Sequence, residues 1–355
     1  MNIQRGYILE AIVFFVFFMV VLLAFAVSAL AIKNETDLQK KRWLNKINYL
    51  IRSAIFFEGE EAAPIPVPPK IQQLLKKQAF RNFFCSQLML SAKSISGISN
   101  INLRKLYEQL SLTADSQKKL KSFSWHIKAK GIQELAMMNQ KPEAKELSKL
   151  TNHKNAYIRM EAQTATVKFD GFEGLRFLDN AAYPISEWQQ INLLHELSQT
   201  PAENFQGIDK WLASPNDSVV LFTLKLISTY HLFEFHPEAL KCLYHPNNAI
   251  AIEAIKCLQE IYTDTTSAEL IEFYKQSQFK AQKLAVLKAL KVIEDEEYIQ
   301  FLLEALNDDD NHIKLAAARA LAVSPTGMNE LKAFPKSDRY PWNEIIYQIQ
   351  HERLA

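Results

Sequence analysis

Glycine is scarce in this chain, with eight among 355 residues, and cysteine scarcer still, with three. So few glycines leave little room for the loops that bring backbone close to a phosphate. The GxGxxG, GxxxxGKS/T, GxSxG and HExxH patterns are all missing, which removes the usual nucleotide, hydrolase and metalloprotease readings. Cys85, Cys242 and Cys257 are odd in number and show no framework spacing. A disulfide-stapled secreted domain is therefore excluded, and a reducing compartment is the simpler setting. Disorder is excluded as well, because 48% of the residues are hydrophobic and 23% charged.

Charge is missing altogether from Ala11 to Ile32, AIVFFVFFMVVLLAFAVSALAI. At 1.5 Å per residue that run spans about 33 Å, enough for the roughly 30 Å hydrocarbon core of a bilayer. It reads as one transmembrane helix. Arg5 precedes it, whereas Lys33, Lys40, Lys41, Arg42, Lys46 and Arg52 follow it closely, so the positive-inside rule places the rest of the chain in the cytoplasm, with a bacterial inner membrane as the expected host. Ala29-Leu30-Ala31 offers the small-x-small pattern of a cleaved leader. The thin basic n-region with Glu10, the long apolar run and the reversed charge bias all point instead to an anchor.

The net charge of +2 hides an asymmetry: residues 33–130 hold 18 Lys/Arg against 7 Asp/Glu, residues 131–355 hold 22 against 31. Different partners are expected for the two parts. Six segments follow from these shifts: residues 1–32 with the membrane helix, a basic amphipathic helix over 33–57, a proline-rich linker over 58–69, a basic helical cap over 70–114, repeats over 115–330, and a capping helix over 331–355. In the second segment Trp43, Ile47, Leu50 and Ile51 share one helical stripe; a lipid leaflet and a neighbouring protein surface are equally good covers for it. Pro64, Pro66, Pro68 and Pro69 make the linker extended and stiff, a hinge or spacer. The basic cap is open to anionic lipid headgroups.

The most informative pattern lies further on. Four seventeen-residue windows align without gaps from Leu212, Leu243, Lys275 and Leu306, their starts 31, 32 and 31 residues apart. An aliphatic residue closes each at its sixteenth place (Ile227, Leu258, Leu290, Leu321), with a small or medium residue four places earlier (Thr223, Ala254, Val286, Ala317). Units this short cannot bury an apolar stripe alone, so neighbours must stack into an all-α solenoid. Stepping back from Ile227 gives Leu197 and Val167 as upstream equivalents. In the last window Asp308 to Asn311 can cap a helix whose face is Ile313, Ala317, Ala320 and Leu321. Trp342, Ile345, Ile346 and Ile349, after Pro335 and Pro341, form the stripe of the terminal cap.

The stretch Asn307–Ala322, with aspartates at its turn, Ile313-Lys314 and then an alanine-rich helix, resembles the short HEAT repeats of proteins related to phycobilisome lyases. Six or seven helical pairs are expected between about residues 115 and 330, and the resemblance implies a curved, right-handed superhelix whose groove binds other macromolecules, and no particular chemistry. His231, His236, Cys242 and His245 have zinc-ligand chemistry but match no finger spacing, so packing and capping are the expected roles. No catalytic, cofactor or metal residue is assigned. The net negative repeats argue against nucleic acid. The expected molecule is a non-enzymatic membrane-anchored scaffold offering an acidic groove to a protein partner and contacting the bilayer through residues 8–32. Its alternatives are a regulatory subunit of a membrane enzyme, such as an envelope polysaccharide synthase, and a lyase-like enzyme.

Overall fold

The computed structural model describes residues 2–59, 63–198, 207–293, 298–334 and 340–354. Pro335, Glu297 at the head of the last repeat, and residues 60–62 of the proline-rich segment lie outside them. Among the described residues every regular element is helical, and the chain forms two compact units, Met1–Leu147 and Ser148–Ala355.

The first unit is built on α1 (Asn2–Ile55), followed by α2 (Pro69–Leu74), α3 (Gln78–Lys93), α4 (Gly97–Gln109), α5 (Leu112–Leu120), α6 (Trp125–Met137) and the start of α7 (Ala144–Ser148). Among the described side chains of the apolar run of α1 none is buried, and the run is long and apolar enough to cross a membrane by length and composition. Without a break the same helix then turns its Trp43, Ile47, Leu50, Ile51 and Ala54 stripe into a core with Phe80, Phe84 and Leu88 of α3 and Leu103, Leu106 and Tyr107 of α4. Protein covers that stripe here. Trp43 stands edge-on to Phe80 at 5.3 Å between centroids, a preferred aromatic arrangement. Between residues 63 and 68 the proline-rich segment forms no helix, with Pro68 extended as proline favours, and it is tied down. Ile65 is buried, its N–H donates to Gln109 Oε1 at 2.9 Å, and Gln109 Nε2 donates back to the Ile65 carbonyl at 2.8 Å.

The α5–α6 hairpin closes around buried polar groups. Gly131 allows the approach: a Cβ there would lie 2.7 Å from Leu120 N and 2.9 Å from Ser116 O. Across this seam Tyr107 Oη donates to Ser116 Oγ at 2.8 Å, Ser116 Oγ donates to Glu134 at 2.5 Å, and Lys119 Nζ reaches both Glu134 oxygens at 2.7 Å. Pairing is what permits a carboxylate to be buried.

The second unit contains α8 (Ala156–Asp170), α9 (Glu187–Leu197), α10 (Ile208–Leu212), α11 (Asp217–Tyr230), α12 (His236–Lys241), α13 (Asn248–Glu260), α14 (Thr266–Gln276), α15 (Lys280–Ile293), α16 (Ile299–Ala305), α17 (Asn311–Leu321), α18 (Pro325–Ala333) and α19 (Trp342–Leu354). Helix α11 packs on α13, α13 on α15, α15 on α17, and α17 on α19. One core runs unbroken from Val167 to Ile349, so the unit is an all-α solenoid. Both repeating columns sit inside it: Thr223, Ala254, Val286 and Ala317 are fully buried, and Ile227, Leu258, Leu290 and Leu321 are no more than 5% exposed.

The turns explain why the windows begin as they do. Asn216, Asn247 and Asp310 cap α11, α13 and α17 by accepting from the N–H groups of Ser218, Ala249 and His312. The third window has no such residue. There Ser277 Oγ accepts from Phe279 N and donates to Gln282 Oε1 instead. The cap residues also join repeats: Asn247 Nδ2 donates to Asp217 at 2.6 Å, and Lys280 pairs with Asp310. Upstream the regular pairing changes, because α8 leads into a ten-residue 3-10 run, Gly171–Asn180, rather than an α-helix. Gly174 permits this run to press on α8, since a Cβ there would overlap the Thr166 carbonyl.

Candidate interaction surface

The side chains with ligand chemistry are occupied with local structure. His236 is buried and bonds Thr266 Oγ1 through Nε2 at 2.7 Å; burial holds its imidazole below the ordinary range. His231 takes the left-handed position that ends α11. His245 Nδ1 accepts from Asn247 N. Cys242 is buried and free. No three His, Cys, Asp or Glu side chains among the described residues converge into a metal site. Asp308, Asp309 and Asp310 serve the turn into α17: Asp308 accepts from Asp310 N, and Lys280 holds the Asp310 carboxyl below its usual range. The first unit's network is closed, with Ser116 and Glu134 at 0% and 1% exposure, so it braces the hairpin rather than receiving a ligand. Burial, with the Glu134 charge behind it, pushes the Cys85 thiol up to about 12.

What remains open is the outward side of the stacked helices α11, α13, α15 and α17. In each window the eighth, twelfth, thirteenth, fifteenth and sixteenth places are buried, whereas the tenth and fourteenth never are. The tenth is aliphatic in all four: Leu221, Ile252, Leu284 and Leu315, each half-buried. The fourteenth is cationic in all four: Lys225, Lys256, Lys288 and Arg319. Places four apart lie one above the other on a helix, so an apolar row and a cationic row run side by side from repeat to repeat. Packed helices lie about 8–10 Å apart, which sets the rise between rungs.

These four helices hold eight Lys/Arg against three Asp/Glu, a net of +5. The negative balance of residues 131–355 does not reside on these four helices. A sum over the chain averages helices, turns and tails, while a surface is made by one register of one layer. The cationic row was present in the aligned windows; its signal is the fourteenth place itself.

The rungs differ in their company. Lys225 Nζ donates to the neutral Gln190 amide oxygen at 2.9 Å, Lys256 pairs with Glu253 one turn away at 3.1 Å, and Lys288 is exposed without an ion pair among the described residues. Arg319 receives Glu352 of α19 in a two-pronged pair, which holds that carboxyl below its ordinary range. A hollow of about 210 Å³ beside it is lined by Lys291, Arg319, Ala322, Val323, Ile349 and Glu352.

A second exposed feature lies in the first unit. The turn between α5 and α6 presents Phe123 fully to solvent, with Trp125 46% and Ile127 39% exposed. Lys118, Lys121, Lys128 and Lys130 flank it.

Comparison with known proteins agrees with the repeat geometry. Residues 237–322 match the model for HEAT repeats. No curated protein matches the chain. Among solved structures, an engineered protein is similar at 14% identity with a TM-score of 0.34, covering 87% of this chain and 83% of its own. The complex of CpcE and CpcF of the phycocyanin lyase from Nostoc sp. is similar at 11% identity with a TM-score of 0.26, covering 82% of this chain and 97% of its own. With so little superposition neither neighbour bears on what this chain does. Residues 237–322 are thus similar to HEAT repeats, within an all-α solenoid.

Proposed function

We propose that this protein is a non-catalytic scaffold, fixed to a membrane by α1, whose solenoid holds a protein partner in the cytoplasm. The observation that carries the reading is the continuity of α1. The described side chains of its apolar run are exposed, and eleven residues after Ile32, about 16 Å along a helix, Trp43 enters the core of the first unit. A leader destined for removal has no reason to share a helix with that core; an anchor gains a stiff connection from it. Basic residues on the core side of the run favour a cytoplasmic body. Tethering concentrates the repeats near membrane-bound partners, so contacts of modest affinity suffice. The aromatic turn at Phe123 and Trp125, ringed by lysines, has the composition of a segment that rests among anionic headgroups.

The test is replacement of residues 8–32 by an unrelated transmembrane helix, with partner recovery measured by crosslinking in intact membranes. A scaffold keeps its partner after the exchange. Recovery of the untagged chain in the soluble fraction, shortened after Ala31, would reject the tether.

A further inference from the structure

We infer that the cationic row Lys225, Lys256, Lys288 and Arg319 is the partner-binding surface, and that its occupant is an acidic amphipathic segment of another protein, carrying aliphatic and carboxylate side chains at helical spacing. The inference rests on the scaffold reading and names the chemistry of its partner. Three observations support it. The row recurs at the one place in the repeat that is cationic in all four windows, while the buried columns beside it carry no charge in any window. It runs next to a half-buried aliphatic row, and that pairing suits a polypeptide with apolar and acidic side chains better than a sugar-phosphate backbone, which offers phosphates without aliphatic groups. The chain also shows how a rung binds: α19 brings Ile349, 2% exposed, and Glu352, three residues later, alongside α17, and Glu352 takes Arg319 with both carboxylate oxygens. Among the described residues the first three rungs have no such carboxylate from a neighbouring helix: Lys225 donates to a neutral amide oxygen, Lys256 pairs within its own helix, and Lys288 has no ion pair. Rungs at helix-packing distance require acidic groups about 10 Å apart, close to the two-turn rise of an α-helix.

The experiment uses the full chain in lipid nanodiscs and a fluorescent synthetic helix with Glu and Ile three residues apart, repeated every seven. Its comparators are a peptide of the same composition in scrambled order and a single-stranded oligonucleotide of equal charge. Anisotropy titration is expected to show binding of the patterned helix that weakens with salt, falls at least about tenfold in the K225E/K256E/K288E variant, falls less in the K225Q/K256Q/K288Q variant, and does not change when Lys210 of α10 and Lys241 of α12 are reversed. Circular dichroism confirms that each variant keeps its helix content. Equal binding of the scrambled peptide, tighter binding of the oligonucleotide, or indifference to the reversed row overturns the inference. If crosslinking captures a partner and row reversal leaves it bound, the row alone is wrong. If no partner is captured while the patterned helix still binds, the scaffold reading is wrong.

Discussion

Substituting Gly131 by alanine probes the tightest seam of the first unit. The added methyl would sit 2.7 Å from Leu120 N, 2.9 Å from Lys119 Cβ and 2.9 Å from Ser116 O. Two of these atoms are backbone, so α5 and α6 must part rather than one side chain swing away. Methyl contacts relax near 3.5–4 Å, which asks for a separation of roughly 1 Å. The same seam carries the Ser116–Glu134 and Lys119–Glu134 bonds at 2.5 and 2.7 Å, too short to survive that shift unchanged. Overpacking costs about 1–3 kcal/mol, and weakening a buried hydrogen bond about 1–3 kcal/mol. Against this, alanine gains about 1 kcal/mol over glycine inside a helix. The expected net loss is about 1–5 kcal/mol. Hydrogen exchange of the amides in 112–137, with thermal melting of the full chain, measures it. Unchanged protection together with a neutral or raised melting temperature would refute the claim that these helices meet at Gly131.

Four further outcomes follow from the structure. Leu258→Ala, at a fully buried site in α13, should cost about 2–5 kcal/mol and, because repeats depend on their neighbours, lower exchange protection in α11 and α15 too; an effect confined to α13 would contradict the stacking. Asn247→Ala removes the cap to Ala249 N and the bond to Asp217, with an expected loss of about 0.5–2 kcal/mol by urea denaturation. The buried Cys85 and Cys242 thiols, pushed by burial from 9.0 to about 12 and about 11, should resist thiol reagents at pH 8 until the chain unfolds. Since their folded values are raised, the stability they contribute is present below pH 9 and lost as pH rises from about 9 towards 12, so the melting temperature should fall across that window, and a flat profile would count against their burial. A fluorophore on Phe123→Cys, the native thiols being buried, should shift to the blue in anionic but not in zwitterionic nanodiscs; identical spectra would remove the headgroup contact.

Much of the fold could be read from the windows because burial repeats at fixed places: the columns ending at Leu321 and Ala317 lie in the core, and the Trp43, Ile47, Leu50 and Ile51 stripe is buried as a stripe. What covers that stripe was not legible, since lipid and protein demand the same apolar face. Leu197 and Val167 are buried too, yet the pattern fades around them because a 3-10 run replaces one helix and its threefold turn breaks the 3.6 period. The third window lacks turn aspartates because Ser277 and Gln282 close that turn by another route. The candidate surface was hidden for a different reason. Its cations lie in plain view at the fourteenth places, but net charge was summed over a segment, and only the layered packing of α11, α13, α15 and α17 shows which residues share a face.

The central claim is that the outward side of these four helices holds a protein at the membrane, and site-specific photo-crosslinking in intact membranes tests it most directly. A photoreactive residue at Lys288, exposed on α15, is compared with one at Lys241 on α12, where the side chain is 78% exposed. The account predicts a discrete adduct from position 288 and none from 241. Adducts from 241 with none from 288 would contradict it.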